Sequence, residues 1–202
     1  VPGSSPATQG EYLITIRGTD LKADWLTDAN SGVQNSLSKK WVHAGFNRVF
    51  KELQPQIQSY FSGKSPSVIH CVGHSLGGAL ATLSADWLVS ENIAKTKLYT
   101  FGCPRVGFKP FAERLTMQIG NNNMFRVHHD NDFVSLVPIW PFVHVPQPGT
   151  TACIENHGFN TFSAHKMTNY YTSLKGYTNQ VDAWTSLRAK APVPSSKREI
   201  ET

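Results

Sequence analysis

The sequence contains few charged residues for its length, and this narrows the partners that the protein can bind. Asp, Glu, Lys and Arg make up 16% of the 202 residues, compared with about 25% in average proteins. The formal net charge is still +5 at pH 7, so the surface is basic and favours anionic partners such as phospholipids. The basic residues are scattered, without the block of about five to eight that is typical of nucleic-acid patches. We therefore predict transient contact with an anionic membrane surface and no nucleic-acid partner, and we make no prediction of the oligomeric state.

Cysteine is also scarce. The three cysteines, Cys71, Cys103 and Cys153, lie far apart and form no C-x-x-C pair, which argues against zinc-binding and thioredoxin-like sites. Three thiols allow one disulfide at most. Because Cys71 lies within an apolar run and is expected to be buried, a Cys103–Cys153 disulfide is the one pairing that merits a test.

No apolar run is long enough to cross a membrane. The longest, residues 133–145, contains 13 residues with two prolines and a histidine, whereas a membrane-spanning helix needs about 20 mostly apolar residues. No signal peptide is visible, but the sequence begins with valine, so a removed leader stays possible.

Segments typical of strands and helices alternate along the chain. Helical spacing of apolar residues begins at Phe46, and Pro55 is expected to kink or restart that helix. The alternation predicts one α/β domain over residues 1–202, with a mostly parallel sheet covered by helices on both faces. Tails rich in Pro, Ser and charge are expected to be mobile near residues 1–10 and 189–202. The predicted strands are 11–17, 67–72, 97–101 and 124–129, and the helices after the first are 76–90 and 109–119.

A serine between two glycines stands where one of these strands meets a helix. Residues 73–77 read GHSLG and fit G-x-S-x-G, a pattern that chance alone produces in roughly one 200-residue chain in fifteen. The strand before it and the helix after it are the context that a nucleophile elbow requires. Glycines suit the flanking positions because side chains there would collide with neighbouring elements. This context predicts Ser75 as a nucleophile.

A serine nucleophile needs a base, and the base needs an orienting acid. Asp130 and Asp132 follow a predicted strand in a polar loop, and such strand ends are where sites gather in α/β sheets. His165 precedes an amphipathic helix and is the first choice as base, with His157 as the alternative. The order Ser75, Asp132, His165 is that of the α/β-hydrolase fold.

Five segments, taken together, resemble the class 3 lipase family of α/β-hydrolases. They are IRGTDLKADWLTD, VHAGF, IHCVGHSLGGALATL, YTFGCPRVG and RVHHDNDFVSLVP, and they follow one another in the family's order. Members of this family usually have further structure before the first segment, so part of the N-terminal region is expected to be lacking here. The segment at residues 20–38 corresponds to the family's lid.

The resemblance implies roles for individual residues. Ser75 would be the nucleophile, Asp132 the acid and His165 the base, while the Leu76 N–H and Thr19 would form the oxyanion hole. The family's acid is closely followed by a Val-Pro pair, but this chain has Phe-Val-Ser after Asp132. This departure leaves Asp130 as a rival acid.

The implied activity is hydrolysis of the carboxylic esters of lipids, by a glyceride lipase or a phospholipase, without a metal or cofactor. Esters of soluble acyl groups, such as feruloyl or acetyl sugars, are the alternative substrates, and a catalytically idle binding module is a third reading. Apolar residues after the acid, Trp140 and Phe142 among them, are predicted to line an acyl groove, although they could be ordinary core. A secreted protein that acts outside the producing cytoplasm fits the basic surface.

Overall fold

The computed structural model describes residues 9–18, 32–145, 151–154 and 160–175, in which strands and helices alternate. The strands are β1 (Glu11–Ile16), β2 (Val33–Asn35), β3 (Trp41–His43), β4 (Val68–His74), β5 (Lys95–Phe101), β6 (Gly107–Phe108), β7 (Met124–His129), β8 (Phe142–Val143) and β9 (Thr151–Ile154). The α-helices are α1 (Ala44–Phe61), α2 (Leu76–Ser90), α3 (Lys109–Ile119), α4 (Thr161–Ala164) and α5 (Met167–Lys175), and two 3₁₀ helices cover Asn121–Asn123 and Phe133–Leu136.

The central sheet has five strands in the order β1-β4-β5-β7-β9, and every neighbouring pair is parallel. The four strands predicted from the sequence are its first four members, so the predicted parallel sheet is confirmed. The carboxyl ends of β1 and β4 lie side by side, with Ile16 paired to Gly73. Because parallel strands end at one edge, the loops after them gather there.

A second, smaller sheet was not predicted. Its strands pair antiparallel in the order β2-β3-β6-β8, and each is only two or three residues long. Strands this short do not show a period-two pattern that could be recognised in the sequence. This sheet includes residues 33–35 from the segment predicted as a lid, whereas residues 20–31 of that segment lie outside the described part of the chain.

Helix α2 is buried along almost its whole length against the central sheet. Thirteen of its 15 residues are buried, which explains why its sequence is small and apolar on every face rather than amphipathic. The two buried hydroxyls return hydrogen bonds to the helix itself: Thr82 donates to the Gly78 carbonyl at 2.8 Å and Ser84 to the Leu80 carbonyl at 2.9 Å. The helix therefore buries polar groups without leaving them unpaired.

Of the two outcomes expected at Pro55, a kink or a restart of the first helix, the restart is wrong. Helix α1 runs from Ala44 to Phe61 as one element with Pro55 inside it. Proline removes one backbone donor and frees the carbonyl four residues earlier. Both Pro55 and Lys51, which carries that carbonyl, are exposed, so water can satisfy the freed acceptor.

The structure describes all three cysteines and the last two residues of the predicted N-terminal tail. Cys71, Cys103 and Cys153 are all buried free thiols, so the Cys103–Cys153 disulfide is wrong for this structure. The predicted tails lie outside the described residues, apart from Gln9 and Gly10. These two form a turn before β1, where the Ser67 N–H donates to the Gly10 carbonyl at 2.8 Å.

Candidate active site

Ser75 is the single residue between strand β4 and helix α2, and its backbone is strained. Its φ is 57° and its ψ is −132°, and a positive φ is uncommon for a residue that is not glycine. The Ser75 N–H donates to the Phe101 carbonyl at 3.0 Å, which ties the turn to the end of β5. Backbone strain of this kind is often found at functional sites.

The glycines around Ser75 are required by close backbone approaches. A Cβ at Gly73 would lie 2.0 Å from the Gly77 carbonyl oxygen, and a Cβ at Gly77 would lie 2.1 Å from the Ile16 carbonyl oxygen. The strand, the turn and the helix therefore approach one another more closely than any side chain would allow. This is the physical reason for the two glycines in the GHSLG segment.

Three side chains from distant parts of the sequence meet at the carboxyl edge of the sheet. The Ser75 Oγ lies 2.7 Å from His165 Nε2, and His165 Nδ1 lies 2.8 and 2.9 Å from the two oxygens of Asp132. Since Nδ1 faces a carboxylate, it carries the proton and donates it, which leaves Nε2 to accept from the serine hydroxyl. All three residues are at most 2% exposed. The arrangement is that of a nucleophile, a base and an orienting acid.

Asp132 is held as a carboxylate by three neighbours. Burial by itself would raise the pKa of its carboxyl group, but the hydrogen bond and charge of His165 oppose this, as do the donors Tyr170 O–H and Val134 N–H. The pKa is lowered as a result. The Tyr170 hydroxyl donates to Oδ2 at 2.7 Å and the Val134 N–H donates to Oδ1 at 3.0 Å. Asp132 therefore stays ionised at neutral pH.

Tyr170 lies directly behind the acid, and the sequence predicted it only as part of an amphipathic helix. Its side chain is completely buried, and its hydroxyl accepts from the His129 N–H at 2.9 Å while donating to Asp132. Burial raises its pKa well above the usual value, and the nearby Asp132 charge adds to the rise. A tyrosine whose hydroxyl faces a carboxylate cannot be told from a core tyrosine by helical periodicity alone.

His74 contacts the backbone of the candidate base. Its Nε2–H donates to the His165 carbonyl at 2.7 Å, and the two imidazole rings lie 4.6 Å apart between centroids. Burial, together with the neighbouring His165, lowers the pKa of His74 to about 4. His74 is therefore neutral at pH 7 and acts as a hydrogen-bond donor.

The structure describes four of the other predicted site residues, Leu76, Asp130, Trp140 and Phe142. Asp130 is exposed, two residues before the carboxylate that contacts His165. Trp140 is 84% exposed, and Phe142 lies in the small sheet, with its ring 5.1 Å from that of Phe108. Leu76 is the first residue of α2, where backbone N–H groups have no acceptor within the helix. Thr19 and the alternative base His157 both lie outside the described residues.

A cleft of about 640 Å³ is lined by His165 and by His74, the residue before Ser75, whereas Ser75 and Asp132 themselves are not among its lining residues. It is lined by the ends of β1 and β4, by Phe101 at the end of β5, and by the residues from His165 to Thr168. Its apolar side chains include Val72, Phe101 and Met167. The volume falls within the range of small-molecule sites, which runs from about 300 to 1,000 Å³. Among the described residues that line this cleft, neither Trp140 nor Phe142 occurs.

The parallel sheet, the strained turn at Ser75 and the order of the three side chains define an α/β-hydrolase. A family model described as "Lipase (class 3)" matches residues 13–142. The match covers more than half of the chain, so the protein belongs to the class 3 lipase family, as its sequence segments predicted. The matched region includes Ser75 and Asp132 and ends before His165.

Individual relatives support this placement. The chain is 34% identical over 134 residues to a secreted mono- and diacylglycerol lipase of Fusarium solani, covering 63% of this chain and 39% of the relative. It is 29% identical over 155 residues to a chloroplastic phospholipase A1 of Arabidopsis thaliana, covering 63% of this chain and 34% of the relative. Among solved structures, the mono- and diacylglycerol lipase of Aspergillus oryzae matches with a TM-score of 0.64 and 30% identity, covering 74% of this chain and 56% of that one.

The chain thus spans less than half of the length of these two curated relatives. In the part of the chain that the structure describes, no helix combines the length and the apolar character needed to cross a membrane.

Proposed function

We propose that this protein is a serine hydrolase that cleaves carboxylic esters of lipids, with Ser75 as nucleophile, His165 as base and Asp132 as acid. The observation that carries the proposal is the continuous chain of hydrogen bonds from the Ser75 hydroxyl through the His165 ring to Asp132, built on a serine with a positive φ. A serine in a structural role would need neither the strained backbone nor a histidine oriented by a buried carboxylate.

The reaction follows from this geometry. As Oγ of Ser75 attacks the ester carbonyl, its proton passes to Nε2 of His165, and Asp132 stabilises the imidazolium that forms. Collapse of the tetrahedral intermediate transfers that proton to the leaving alcohol and gives an acyl-serine. Water then attacks the acyl group, with its proton taken by His165, and the carboxylic acid is released. The cycle needs no redox step.

The oxyanion that forms on the carbonyl oxygen needs hydrogen-bond donors. We assign them to the Leu76 N–H, at the start of α2, and to the backbone N–H of Thr19, with its hydroxyl as a further donor. Support for Thr19 comes from the residue before it. A Cβ at Gly18 would lie 2.9 Å from the Ser75 Cβ, so Gly18, the residue before Thr19, lies next to Ser75.

The substrate class rests on the family and on the cleft. Relatives in the family are named as mono- and diacylglycerol lipases and as a phospholipase A1, so we assign glycerides and phospholipids as the substrates. The apolar side chains of Val72, Phe101 and Met167 in the cleft suit an acyl chain. Several of these relatives are named as secreted, and we propose that this protein also acts outside the producing cytoplasm.

The nucleophile is tested by Ser75→Ala. We expect kcat on a short-chain nitrophenyl ester to fall by about 10⁴ or more and labelling by a fluorophosphonate probe to disappear, because the substitution removes the hydroxyl that contacts His165. Ser84→Ala is the matched control, since its buried hydroxyl, in the helix that follows Ser75, bonds only the Leu80 carbonyl among the contacts described. Labelling of a folded Ser75→Ala variant would refute the assignment.

The oxyanion hole is tested by Thr19→Val, which removes the hydroxyl and nearly preserves the volume. Loss of one such donor lowers kcat by about 10²–10³ with little change in KM. Thr19→Ser keeps the donor and should retain most of the activity. If Thr19→Val instead raises KM at constant kcat, Thr19 contacts the substrate outside the oxyanion hole.

A further inference from the structure

An exposed turn after the candidate acid carries three large apolar side chains. In residues 136–140, hereafter the apolar turn, Leu136 is 56% exposed, Ile139 74% and Trp140 84%. Apolar side chains that are scattered singly over a surface are ordinary, but several on one short segment mark an interaction surface. The sequence led us to expect Trp140 in an acyl groove, and this exposure indicates a different role.

Arg105 fixes the backbone of the apolar turn by hydrogen bonds. The backbone N–H of Arg105 donates to the Val137 carbonyl at 2.8 Å, and its guanidinium donates to the carbonyls of Leu136 and Pro138 at 2.9 and 3.2 Å. Three consecutive carbonyls are thus bound by the same residue. An exposed segment that is fixed in this way loses little conformational entropy when it binds.

The apolar turn lies at the same edge of the sheet as the candidate active site. It begins at the last residue of the 3₁₀ helix Phe133–Leu136, whose N-cap is Asp132. The Phe133 ring lies 6.2 Å from the His165 ring and 5.4 Å from the ring of Phe162, which is 66% exposed. Exposed apolar side chains therefore continue from the apolar turn towards the base.

We propose that the apolar turn, together with Phe162, inserts into the surface of aggregated lipid and holds the active site against it. This proposal rests on the proposed function, because a lipid esterase meets its substrate as a bilayer or a droplet. Tryptophan suits the boundary between headgroups and acyl chains, since its ring is apolar and its N–H is polar. Leu136 and Ile139 supply the purely apolar part of the contact.

Charge at this edge adds to the attraction of anionic lipids. Lys166, directly after the base, is exposed and lines the cleft, and the chain as a whole carries +5. A basic residue near an anionic bilayer contributes about 1 kcal/mol. Asp130, exposed at the same edge, offsets part of this contribution. We therefore expect insertion of apolar side chains to provide most of the affinity and anionic lipid to increase it moderately.

The test measures partition onto vesicles of phosphatidylcholine with one fifth phosphatidylglycerol, in the Ser75→Ala background so that lipid is not consumed. Removing one large apolar side chain from an inserted surface should lower the partition coefficient by about tenfold. We expect this decrease for Trp140→Ser and a similar one for Ile139→Ser.

Met117→Ser is the matched control. Met117 is 79% exposed and lies near the end of α3, shortly before β7 begins, which puts it at the amino edge of the sheet. Its replacement should change partition by less than twofold. Equal losses for Met117→Ser and Trp140→Ser would overturn the proposal, and so would unchanged partition of Trp140→Ser.

Fluorescence gives a second readout that needs no polar substitution. Vesicles should shift the tryptophan emission of the protein to shorter wavelength, and Trp140→Phe should remove most of that shift. Because the chain has five tryptophans, Trp41→Phe serves as the comparison, as Trp41 is 49% exposed and lies in the small sheet. A shift that survives in Trp140→Phe contradicts insertion of the apolar turn.

Failure of this proposal can be told apart from failure of the proposed function. Ester hydrolysis that depends on Ser75, with partition that does not depend on Trp140 or Ile139, refutes only the surface. Partition that depends on them, with hydrolysis that survives Ser75→Ala, refutes the assigned nucleophile and leaves the lipid surface in place.

Discussion

Ser75 lies at the start of a helix that is buried on almost every side, whereas Asp132 and His165 lie over a much smaller packed region. The main core contains most of the buried side chains of α2, together with buried residues of α1, β4 and β5. The second core has three buried residues, Val127, Ile154 and Tyr170, with Phe101 and Leu174 packed against them. The proposed nucleophile is therefore supported mainly by apolar packing.

The proposed acid and base are supported mainly by hydrogen bonds. Asp132 accepts from Tyr170 and from Val134, and His165 is held through its carbonyl by His74. Apolar packing tolerates a modest change in side-chain shape, but a buried polar group that loses its partner is left with an unmet desolvation cost. The comparison predicts which substitutions lower stability and activity most. Near Ser75 these are substitutions that add bulk, and near Asp132 and His165 they are substitutions that remove a hydrogen-bonding group.

The largest expected effect is that of Asp132→Asn. The amide cannot stabilise an imidazolium and favours the wrong tautomer of His165, so kcat should fall by about 10⁴ in a protein that stays folded. Steady-state kinetics on a soluble nitrophenyl ester measures this, with circular dichroism to check the fold. Asp130→Asn is the control and should change kcat by less than about threefold. Exchange of the two effects would move the acid to Asp130.

Gly77→Ala tests the steric side of the comparison. The new Cβ would lie 2.1 Å from the Ile16 carbonyl oxygen, so strand β1 and the elbow must separate. We expect the free energy of unfolding to decrease by about 3 kcal/mol or more, as measured by urea denaturation. Gly63→Ala is the control, since its φ of +72° is unfavourable for alanine but no atom lies within 4 Å. It should cost only about 1–2 kcal/mol.

The third prediction concerns acid sensitivity through His74. Its pKa in the folded protein is about 4, compared with about 6.5 when unfolded, so between these values the unfolded state binds more protons. Proton uptake by His74 in the unfolded state therefore lowers the free energy of unfolding as the pH falls from 6.5 towards 4. From pH 7.5 to pH 5 the loss is about 2 kcal/mol. Urea denaturation at both pH values should show that His74→Gln removes this part of the pH dependence. An unchanged dependence would contradict the assignment.

The smallest effect is expected for Tyr170→Phe, which removes one hydroxyl from the smaller core. Asp132 loses a donor and the His129 N–H loses an acceptor, so we expect a loss of about 1–2 kcal/mol in stability and roughly tenfold in kcat, with KM unchanged. Tyr171→Phe is the control, because Tyr171 is 65% exposed. If Tyr170→Phe lowers stability but leaves kcat intact, the hydroxyl supports the core without positioning the acid.

Much of the central fold could be read from the sequence because its signals are local. Helices α2 and α3 and strand β7 have the predicted bounds, since each is a periodic or β-rich segment with clear limits. Ser75 could be recognised for the same reason: glycines, a preceding strand and a following helix lie within a few residues. The small antiparallel sheet could not, because strands of two or three residues depend on pairing with distant partners.

Contacts between distant residues required the tertiary structure. His165 is 90 positions from Ser75 and 33 from Asp132, and the role of Tyr170 depends on a hydroxyl that meets a carboxylate 38 positions away. Trp140, which looks like a core or groove residue in the sequence, is 84% exposed in the structure. Local sequence determines which segments form strands, helices and the tight turn at the serine, whereas the partners of buried polar groups and the exposure of apolar ones depend on how those segments pack, and packing brings together residues that no local pattern relates.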